Sequence, residues 1–168
     1  MGDAVYTGGS PPLHFRGLKN REGTVDSLRA YFGFGAATDL VVGGGSAGGL
    51  AAFLHVDWYA AQAPGAKARA VIDSGFFMDG DYNRDGKFNP SSYELRMANL
   101  YDFMNAKAGI APTCVAAIGY KCLFAYHLLP FIKTPVLSLM SQFDATMGPG
   151  EVRFAGHPAP ALHRAVRP

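Results

Sequence analysis

The sequence has few charged residues and no cluster of basic ones. Only 17% of its 168 residues are charged, and the formal net charge is +2. Nucleic-acid-binding proteins and amphipathic helices on membrane surfaces usually carry runs of lysine and arginine. The composition therefore argues against a nucleic-acid partner and against a basic membrane-surface helix.

No long apolar run is present either. The longest uncharged stretch, residues 40–56, contains five glycines and is bounded by Asp39 and Asp57. A membrane-spanning helix needs about 18 apolar residues, and clustered glycines indicate a turn instead, so no transmembrane segment is predicted. Residues 1–4 have neither the basic nor the apolar region of a signal peptide, and none is predicted in this chain.

Cysteine is scarce, and no metal site is predicted. Cys114 and Cys122 could form one disulfide, remain two free thiols or supply half of a metal site, and no CxxC motif favours zinc. Residues 81–86 match the first half of an EF-hand loop, but Ser92 occupies the twelfth position, where calcium binding needs a glutamate. A polar turn is the better interpretation of this segment.

The residues that are present suffice for one folded domain. Hydrophobic residues make up 49% of the chain and aromatic residues 12%, so a sizeable core can form at this length. The 21 glycines and 11 prolines stay below the share, about 25–30%, that is typical of disorder. From Gly148 onward the sequence is rich in proline and has little hydrophobic periodicity. We therefore predict a domain over residues 1–147 and an irregular tail over residues 148–168.

Short apolar runs alternate with a helical pattern, which is typical of an α/β fold. Buried strands are predicted at residues 40–42, 68–72 and 136–139. A helix predicted at residues 50–61 links the first two of these strands, which should therefore form a parallel βαβ pair. A further strand-like run occurs at residues 13–15.

Three further helices are predicted from caps and periodicity. Thr24 caps the first of them, which ends at Gly33. Ser91 and Glu94 have the spacing of a capping box and begin the second. Its apolar stripe comprises Tyr93, Met97, Leu100 and Met104. A short third helix is predicted at residues 122–129.

The motif Gly-Gly-Ser-Ala-Gly around Ser46 matches the G-x-S-x-G pattern of a nucleophile elbow. A strand is predicted just before the motif and a helix just after it, as that chemistry requires. The sharp turn holds the serine in strained backbone geometry, so its neighbours must be small. These neighbours are Gly44, Gly45, Ala47 and Gly48. We predict Ser46 as a nucleophile and the Ala47 N–H as an oxyanion donor, assisted by the dipole of the helix.

A glycine-rich turn of this kind could instead bind phosphate or serve close packing. The segment contains no G-x-G-x-x-G motif with a later acidic ribose ligand in register, and no Walker lysine. The nucleophile interpretation is therefore favoured.

Two aspartates could serve as the acid of a catalytic triad. α/β Hydrolases order the triad serine, acid and histidine along the chain. Asp144 follows the predicted strand 136–139, at the sheet edge where such an acid belongs. Asp73, at the end of the strand 68–72, is the alternative, and either residue could instead cap a loop. Position favours Asp144.

No histidine can be assigned as the catalytic base. Three histidines precede Asp144, namely His14, His55 and His127. Of these, His55 lies within the helix predicted after the serine. His157 and His163 follow Asp144, but too few residues intervene for a further helix and strand to return either one to the site.

Six separated motifs, in this order, resemble the pectin acetylesterase family, which includes the Notum carboxylesterases. The motifs are Tyr6-Thr7-Gly8, Phe15-Arg16-Gly17, Gly44-Gly45-Ser46-Ala47-Gly48-Gly49, Asp73-Ser74-Gly75-Phe76-Phe77-Met78-Asp79, Pro130-Phe131-Ile132-Lys133-Thr134-Pro135 and Ser141-Gln142-Phe143-Asp144. The match spans about residues 2–147. It is specific because several motifs agree, rather than the serine motif alone.

The resemblance implies an α/β-hydrolase-like fold, with a mostly parallel sheet and flanking helices. It also implies a secreted serine esterase of the extracellular space or cell wall that needs no cofactor. Such an enzyme removes O-acetyl groups from a pectin-like polysaccharide or, in the Notum branch, a fatty acyl group from a lipidated protein. The motifs match Ser46 with the nucleophile, Ala47 with the oxyanion donor and Asp144 with the acid.

The same resemblance bears on two other segments. Asp73, Phe76 and Phe77 belong to a motif beside the substrate pocket of the family, although the two phenylalanines could equally belong to the core. Cys114 and Cys122 match positions at which family members carry disulfide-forming cysteines. The resemblance therefore implies a bridge formed in an oxidising compartment.

The sequence also departs from the family pattern. The Gly-Gly-Gly-Trp oxyanion segment of the family is absent from the residues before Ser46, and no histidine follows Asp144 at the family's spacing. We therefore expect an incomplete member that lacks N-terminal strands and the C-terminal segment. It is either a serine esterase or a catalytically inactive fragment or pseudoenzyme of the same fold, and its oligomeric state is not predicted.

Overall fold

The computed structural model describes residues 2–79 and 93–141. The strands are β1 (Ala4–Tyr6), β2 (Leu13–Phe15), β3 (Asp39–Gly45), β4 (Lys67–Asp73) and β5 (Val136–Leu139). The helices are α1 (Gly17–Phe32), α2 (Ala47–Gln62), α3 (Tyr93–Phe103), α4 (Pro112–Ile118) and α5 (Ala125–Leu128). The EF-hand-like segment and the tail predicted over residues 148–168 lie outside the described residues.

The strands β3, β4 and β5 form one parallel sheet in that order, and α2 is the crossover between β3 and β4. The predicted parallel βαβ unit is therefore confirmed. The β3 strand is longer than predicted because residues 43–45 continue the pairing with β4. Gly45 lies level with Asp73, and Asp73 lies level with Leu139. The carboxyl ends of the three strands thus meet at one sheet edge, directly before Ser46.

The hydrophobic core lies between α2 on one face of the sheet and the helices that follow β4. It contains Phe53 and Val56 of α2, Ile72 of β4, and the buried side chains of Leu123, Phe124 and Leu128. The opposite face of the sheet is exposed, and it carries Val41, Val71 and Leu137. Within the described ranges, no helix is both long and apolar enough to cross a membrane.

The first helix begins earlier than predicted. α1 starts at Gly17, and Thr24, predicted as its cap, lies inside it, where the Thr24 hydroxyl donates to the Asn20 carbonyl at 2.8 Å. A threonine that hydrogen-bonds back by four residues is tolerated within a helix, so it marks no boundary here. The predicted end is confirmed, because Gly33 ends α1 with a φ of 67°.

The helix predicted near residue 93 is present as α3, but part of its predicted apolar stripe is wrong. Met97 and Tyr101 are buried, whereas Leu100 is exposed and Met104 lies beyond the end of the helix. A spacing of four residues keeps Met97 and Tyr101 on one helix face. The predicted cap, Ser91, lies outside the described residues.

The short helix predicted around residues 122–129 is confirmed only over α5. A 3-10 turn at Gly119–Leu123, the short α5 and a second 3-10 turn at Leu129–Phe131 occupy this region. The helix is interrupted at Phe124, whose backbone is extended and whose ring is fully buried. Burial of the ring outweighs the local helical preference. Just before this break, Cys122 forms a disulfide with Cys114 of α4, as the family resemblance implied.

A short hairpin precedes the sheet. β1 pairs antiparallel with β2, which confirms the strand-like run at residues 13–15. The rings of Tyr6 and Phe15 pack against Phe103 at centroid distances of 5.1 and 5.4 Å. The hairpin is thereby attached to the end of α3.

Candidate active site

Ser46 is the single residue between the end of β3 and the start of α2. Its backbone has φ 51° and ψ −123°, a conformation that residues with a side chain rarely adopt. Such a conformation costs about 1–3 kcal/mol and persists only where the surrounding structure enforces it. The residue is exposed. The chain thus presents a hydroxyl on a strained strand–helix turn, which is the geometry of a nucleophile elbow.

The glycines around the turn differ in whether a Cβ atom would fit at their positions. A Cβ at Gly44 would collide with the Gly48 carbonyl, and a Cβ at Gly49 would lie 2.8 Å from the Gly75 Cα. Nothing lies within 4 Å of a Cβ built at Gly48, and the nearest atom to one built at Gly45 is 4.0 Å away. A Cβ is therefore excluded at Gly44, whereas Gly45 and Gly48 have room for one.

Backbone hydrogen bonds hold Ser46 in place. Its N–H donates to the Asp73 carbonyl at 2.9 Å, and its own carbonyl accepts from the Leu50 N–H at 3.0 Å. Ala47 is the first residue of α2, and the first N–H groups of a helix have no acceptor within that helix. Because the helix dipole is positive at the same end, this end of α2 suits a developing oxyanion.

Of the two aspartates predicted as the triad acid, the structure describes only Asp73. Asp144 lies outside the described residues. The preceding strand β5 ends at the same sheet edge as Ser46, since the Ser74 N–H donates to the Leu139 carbonyl at 2.8 Å. Asp73 is exposed at the end of β4, and its carboxylate accepts a hydrogen bond from the Ser74 hydroxyl at 2.9 Å. Asp73 therefore stays an alternative beside the turn.

The histidines that the structure describes each have a partner other than the serine. These partners are Arg16 for His14, Arg21 for His55 and Asp79 for His127. His157 and His163 lie outside the described residues. A base for Ser46 is therefore not identified among the histidines at residues 2–79 and 93–141.

His55 of α2 belongs to a buried contact that sequence reasoning missed. Arg21 Nη1 donates to His55 Nδ1 at 2.7 Å and to the Gly109 carbonyl at 3.0 Å, and the guanidinium lies 4.0 Å from the centroid of the Trp58 ring. Because arginine can only donate, Nδ1 is the acceptor and the imidazole proton is on Nε2. Burial and then the Arg21 charge lower the pKa of His55 to about 3. His55 therefore stays neutral near neutral pH and is unsuited to act as a base there.

Asp57 links α2, the helix that follows Ser46, to the start of β5. Its carboxylate accepts the backbone N–H groups of Lys133 and Thr134, each at 2.8 Å. Burial would raise the pKa of Asp57, but hydrogen bonds from Thr134 and Lys133 outweigh it and hold the pKa below its usual value. The carboxylate thus stays charged and fixes the segment that enters β5.

The segment of residues 74–79 leads away from the serine turn along the core. The Phe76 ring packs edge-on against Phe53, and the Phe77 ring packs against Tyr93, each at a centroid distance of 6.0 Å. Both phenylalanines are half-buried. Each ring therefore contacts the core and keeps surface outside it, so that a role in a pocket beside Ser46 stays a prediction.

Asp79 ends this segment within a cluster of charged side chains that no sequence pattern indicated. His127 Nε2 lies 2.7 Å and Lys121 Nζ 3.1 Å from the Asp79 carboxylate, and Lys121 Nζ lies 2.6 Å from the carboxylate of Glu94. Lys121 and His127 are 42 and 48 residues from Asp79 along the chain. They lie in a 3-10 turn and a four-residue helix, so neither periodicity nor a local motif connects them to it.

The sequence matches the family model of the pectinacetylesterases over residues 1–151. It is 31% identical to pectin acetylesterase 7 of Arabidopsis thaliana over 136 residues, and 27% identical to pectin acetylesterase 11 of the same organism over 146 residues. These alignments cover 79% and 86% of this chain but 33% and 36% of the relatives. The chain therefore spans about a third of the length of the curated relatives that it matches.

Solved structures show the same fold. Two crystal forms of the Wnt deacylase Notum from Drosophila align with TM-scores of 0.63 and 0.64, at 20% and 21% identity. The alignments cover 76% and 78% of this chain and 38% and 40% of those chains. The predicted α/β-hydrolase-like fold is thereby confirmed. Since the family model matches most of its length, the chain belongs to the pectinacetylesterase family.

Proposed function

We propose that this chain carries the nucleophile of a serine carboxylesterase that removes O-acetyl groups from a pectin-like polysaccharide. The main support is Ser46, which is exposed on a strained strand–helix turn in a member of the pectinacetylesterase family. The names of the relatives, pectin acetylesterases, favour an acetylated pectin as substrate. The reaction proposed here needs no cofactor and no nucleic-acid partner.

In the proposed mechanism, Ser46 Oγ attacks the carbonyl carbon of the acetyl ester while its proton passes to a general base. The Ala47 N–H donates to the oxyanion of the tetrahedral intermediate. The bond between the carbonyl carbon and the sugar oxygen then breaks, and the sugar leaves as an alcohol after receiving the proton. Water attacks the acetyl-serine, and acetate and the free serine are released.

Asp144 is the proposed acid of this site, and its role is to orient a histidine base. Its support is its position five residues after Leu139, where β5 ends at the edge that carries Ser46. Asp73 is the alternative acid, because it lies level with Gly45 on the neighbouring strand. A substrate pocket is proposed beside the turn, with Asp73, Phe76 and Phe77 at its wall.

The site of action is proposed to be outside the cell or in the cell wall. The observation in its favour is the disulfide between Cys114 and Cys122. Disulfides of this kind form and persist in oxidising compartments and are rare in the cytosol. A polysaccharide substrate of the cell wall would be met in the same compartment.

Hydrolysis of p-nitrophenyl acetate and release of acetate from acetylated pectin test the proposal. The chain should hydrolyse both, and Ser46→Ala should reduce kcat/KM by about a thousandfold or more, because the covalent step is lost. Ser27→Ala is the matched control, since Ser27 is an exposed helical serine that donates to the Gly23 carbonyl. Equal rates for the chain and Ser46→Ala would contradict the role of Ser46.

Two alternatives keep the same fold. A catalytically inactive fragment or pseudoenzyme is favoured by the absence of an identified base among the described histidines, and it predicts no hydrolysis of either substrate. A deacylase acting on a lipidated protein is favoured by the structural likeness to the Wnt deacylase Notum. It predicts that p-nitrophenyl octanoate is hydrolysed faster than the acetate.

A further inference from the structure

A charged cluster fixes the far end of the segment that starts at the serine turn. The cluster comprises Asp79, Glu94, Lys121 and His127, with the Tyr120 hydroxyl donating to Glu94 at 2.9 Å. Lys121 connects the two carboxylates, and His127 contacts the same oxygen of Asp79 as Lys121 does. Three separate parts of the chain therefore meet at the Asp79 carboxylate.

The near end of the same segment is fixed at the elbow. The Asp73 carbonyl accepts the Ser46 N–H, and Gly75 packs so tightly on Gly49 that a Cβ at Gly75 would lie 2.6 Å from the Gly49 Cα. Between the two fixed ends lie Phe76 and Phe77. The backbone that carries both rings is thus held at each end of a six-residue stretch.

Asp79 and Lys121 of the cluster stabilise each other in their charged forms. Burial would raise the pKa of Asp79, but hydrogen bonds from His127 and Lys121 outweigh it and lower the pKa below its usual value. Burial would lower the pKa of Lys121, but its hydrogen bonds to Glu94 and Asp79 outweigh it and raise the pKa above its usual value. The contact between Asp79 and Lys121 is therefore an ion pair near neutral pH.

We propose that Lys121 and His127 are positioning residues that act through Asp79 to set the rings of Phe76 and Phe77 beside Ser46, and thereby select the length of the acyl group. This inference rests on the proposed esterase function. Neither residue is proposed to contact the acyl group, so each acts through the segment of residues 74–79.

A local role is distinguishable from a general effect on stability. The side chains of Lys121 and Asp79 keep 34% and 24% of their surface exposed. Ion pairs with this much solvent contact contribute little to the free energy of unfolding. Removing the pair should therefore change the position of the segment without changing the melting temperature much.

The test compares Lys121→Gln, Asp79→Asn and the double variant with the unmodified chain. Each protein is assayed by its melting temperature and by the ratio of kcat/KM for p-nitrophenyl acetate to that for p-nitrophenyl octanoate. Lys107→Gln is the matched control, because Lys107 is an exposed lysine in another 3-10 turn. Lys121→Arg keeps the charge, and His127→Gln provides a second variant if Lys121→Gln does not fold.

The inference predicts that Lys121→Gln and Asp79→Asn change the ratio by about threefold or more, since small displacements of a binding group have large effects on rate. The double variant should change it no further, because both side chains act through one contact. Lys121→Arg should retain the original ratio, and Lys107→Gln should leave it unchanged. An unchanged ratio in Lys121→Gln, or a fully additive double variant, would overturn the inference.

A second measurement separates this inference from the proposed function. If the unmodified chain hydrolyses neither ester, the esterase proposal fails, and the backbone amide resonances of Phe76 and Phe77 decide the positioning role. In that case, displaced resonances in Lys121→Gln and Asp79→Asn, but not in Lys107→Gln, support the anchor. Resonances at their original positions refute it.

Discussion

At the scale of single residues, burial beside the charged Arg21 keeps the imidazole of His55 neutral. Both are buried, and no carboxylate contacts the Arg21 guanidinium in the described part of the chain. Its charge is instead met by an imidazole nitrogen, a backbone carbonyl and the face of Trp58. Protonating His55 would place a second positive charge against the first. His55, in the helix that follows Ser46, is therefore held neutral.

The stability of the fold should fall with acid because of His55. Its pKa is about 3 when folded and about 6.5 when unfolded. Below about pH 6.5 the unfolded chain takes up the proton and the folded chain does not, so the free energy of unfolding decreases as the pH falls. Between about pH 7 and about pH 4.5, this group should account for a loss of roughly 2 kcal/mol.

Urea unfolding of the chain and of His55→Asn at both pH values isolates this contribution. An asparagine can still accept a hydrogen bond from Arg21 but does not titrate. The variant should lose less stability on acidification than the unmodified chain. The same loss in both proteins would show that His55 is not the group responsible.

At the scale of elements, the approach of α2 to the end of β4 positions the serine. Gly49 of α2 contacts Gly75, and the Ser46 N–H is bonded to the Asp73 carbonyl. Asp57, further along α2, holds the segment before β5. One helix is thus attached to the carboxyl end of β4, beside the proposed site, and to the start of β5 at the opposite edge of the sheet.

Substitution of Gly49 should destabilise the protein, whereas substitution of Gly48 should not. A Cβ at Gly49 would lie 2.8 Å from the Gly75 Cα and 3.0 Å from the Asp73 carbonyl oxygen, so Gly49→Ala should cost about 1–3 kcal/mol through displaced backbone. Gly48→Ala has open space and should be neutral or stabilising by up to about 1 kcal/mol, as alanine favours helices.

Chemical denaturation of Gly49→Ala and Gly48→Ala measures this difference directly. Both are glycine-to-alanine changes in the first turn of the same helix, so helix propensity acts equally on the two. If both variants unfold at the same urea concentration, the close contact of α2 with the end of β4 does not make Gly49 necessary for stability.

At the scale of the whole molecule, the sequence predicts the features that neighbouring residues determine and misses those that depend on contacts between distant residues. The βαβ unit and the turn at Ser46 follow from short apolar runs and a glycine cluster, each contained within a few neighbouring residues. The broken helix at Phe124 and the anchor of Asp79 by Lys121 and His127 depend on tertiary contacts. No periodicity encodes those contacts, so a single sequence does not reveal them.

One face of the parallel sheet is exposed in the described part of the chain. Parallel sheets are usually covered on both faces, but here the face with Val41, Val71 and Leu137 is exposed. The chain covers 33% and 36% of two curated relatives. The described residues thus form a parallel sheet with one face covered and the other exposed.

Reaction with a fluorophosphonate probe, followed by mass-spectrometric location of the modified residue, tests the role of Ser46 most directly. Such probes modify serines that are activated as nucleophiles. We predict modification at Ser46 and none in Ser46→Ala. Modification at another serine, such as Ser74, or at no residue would contradict this account.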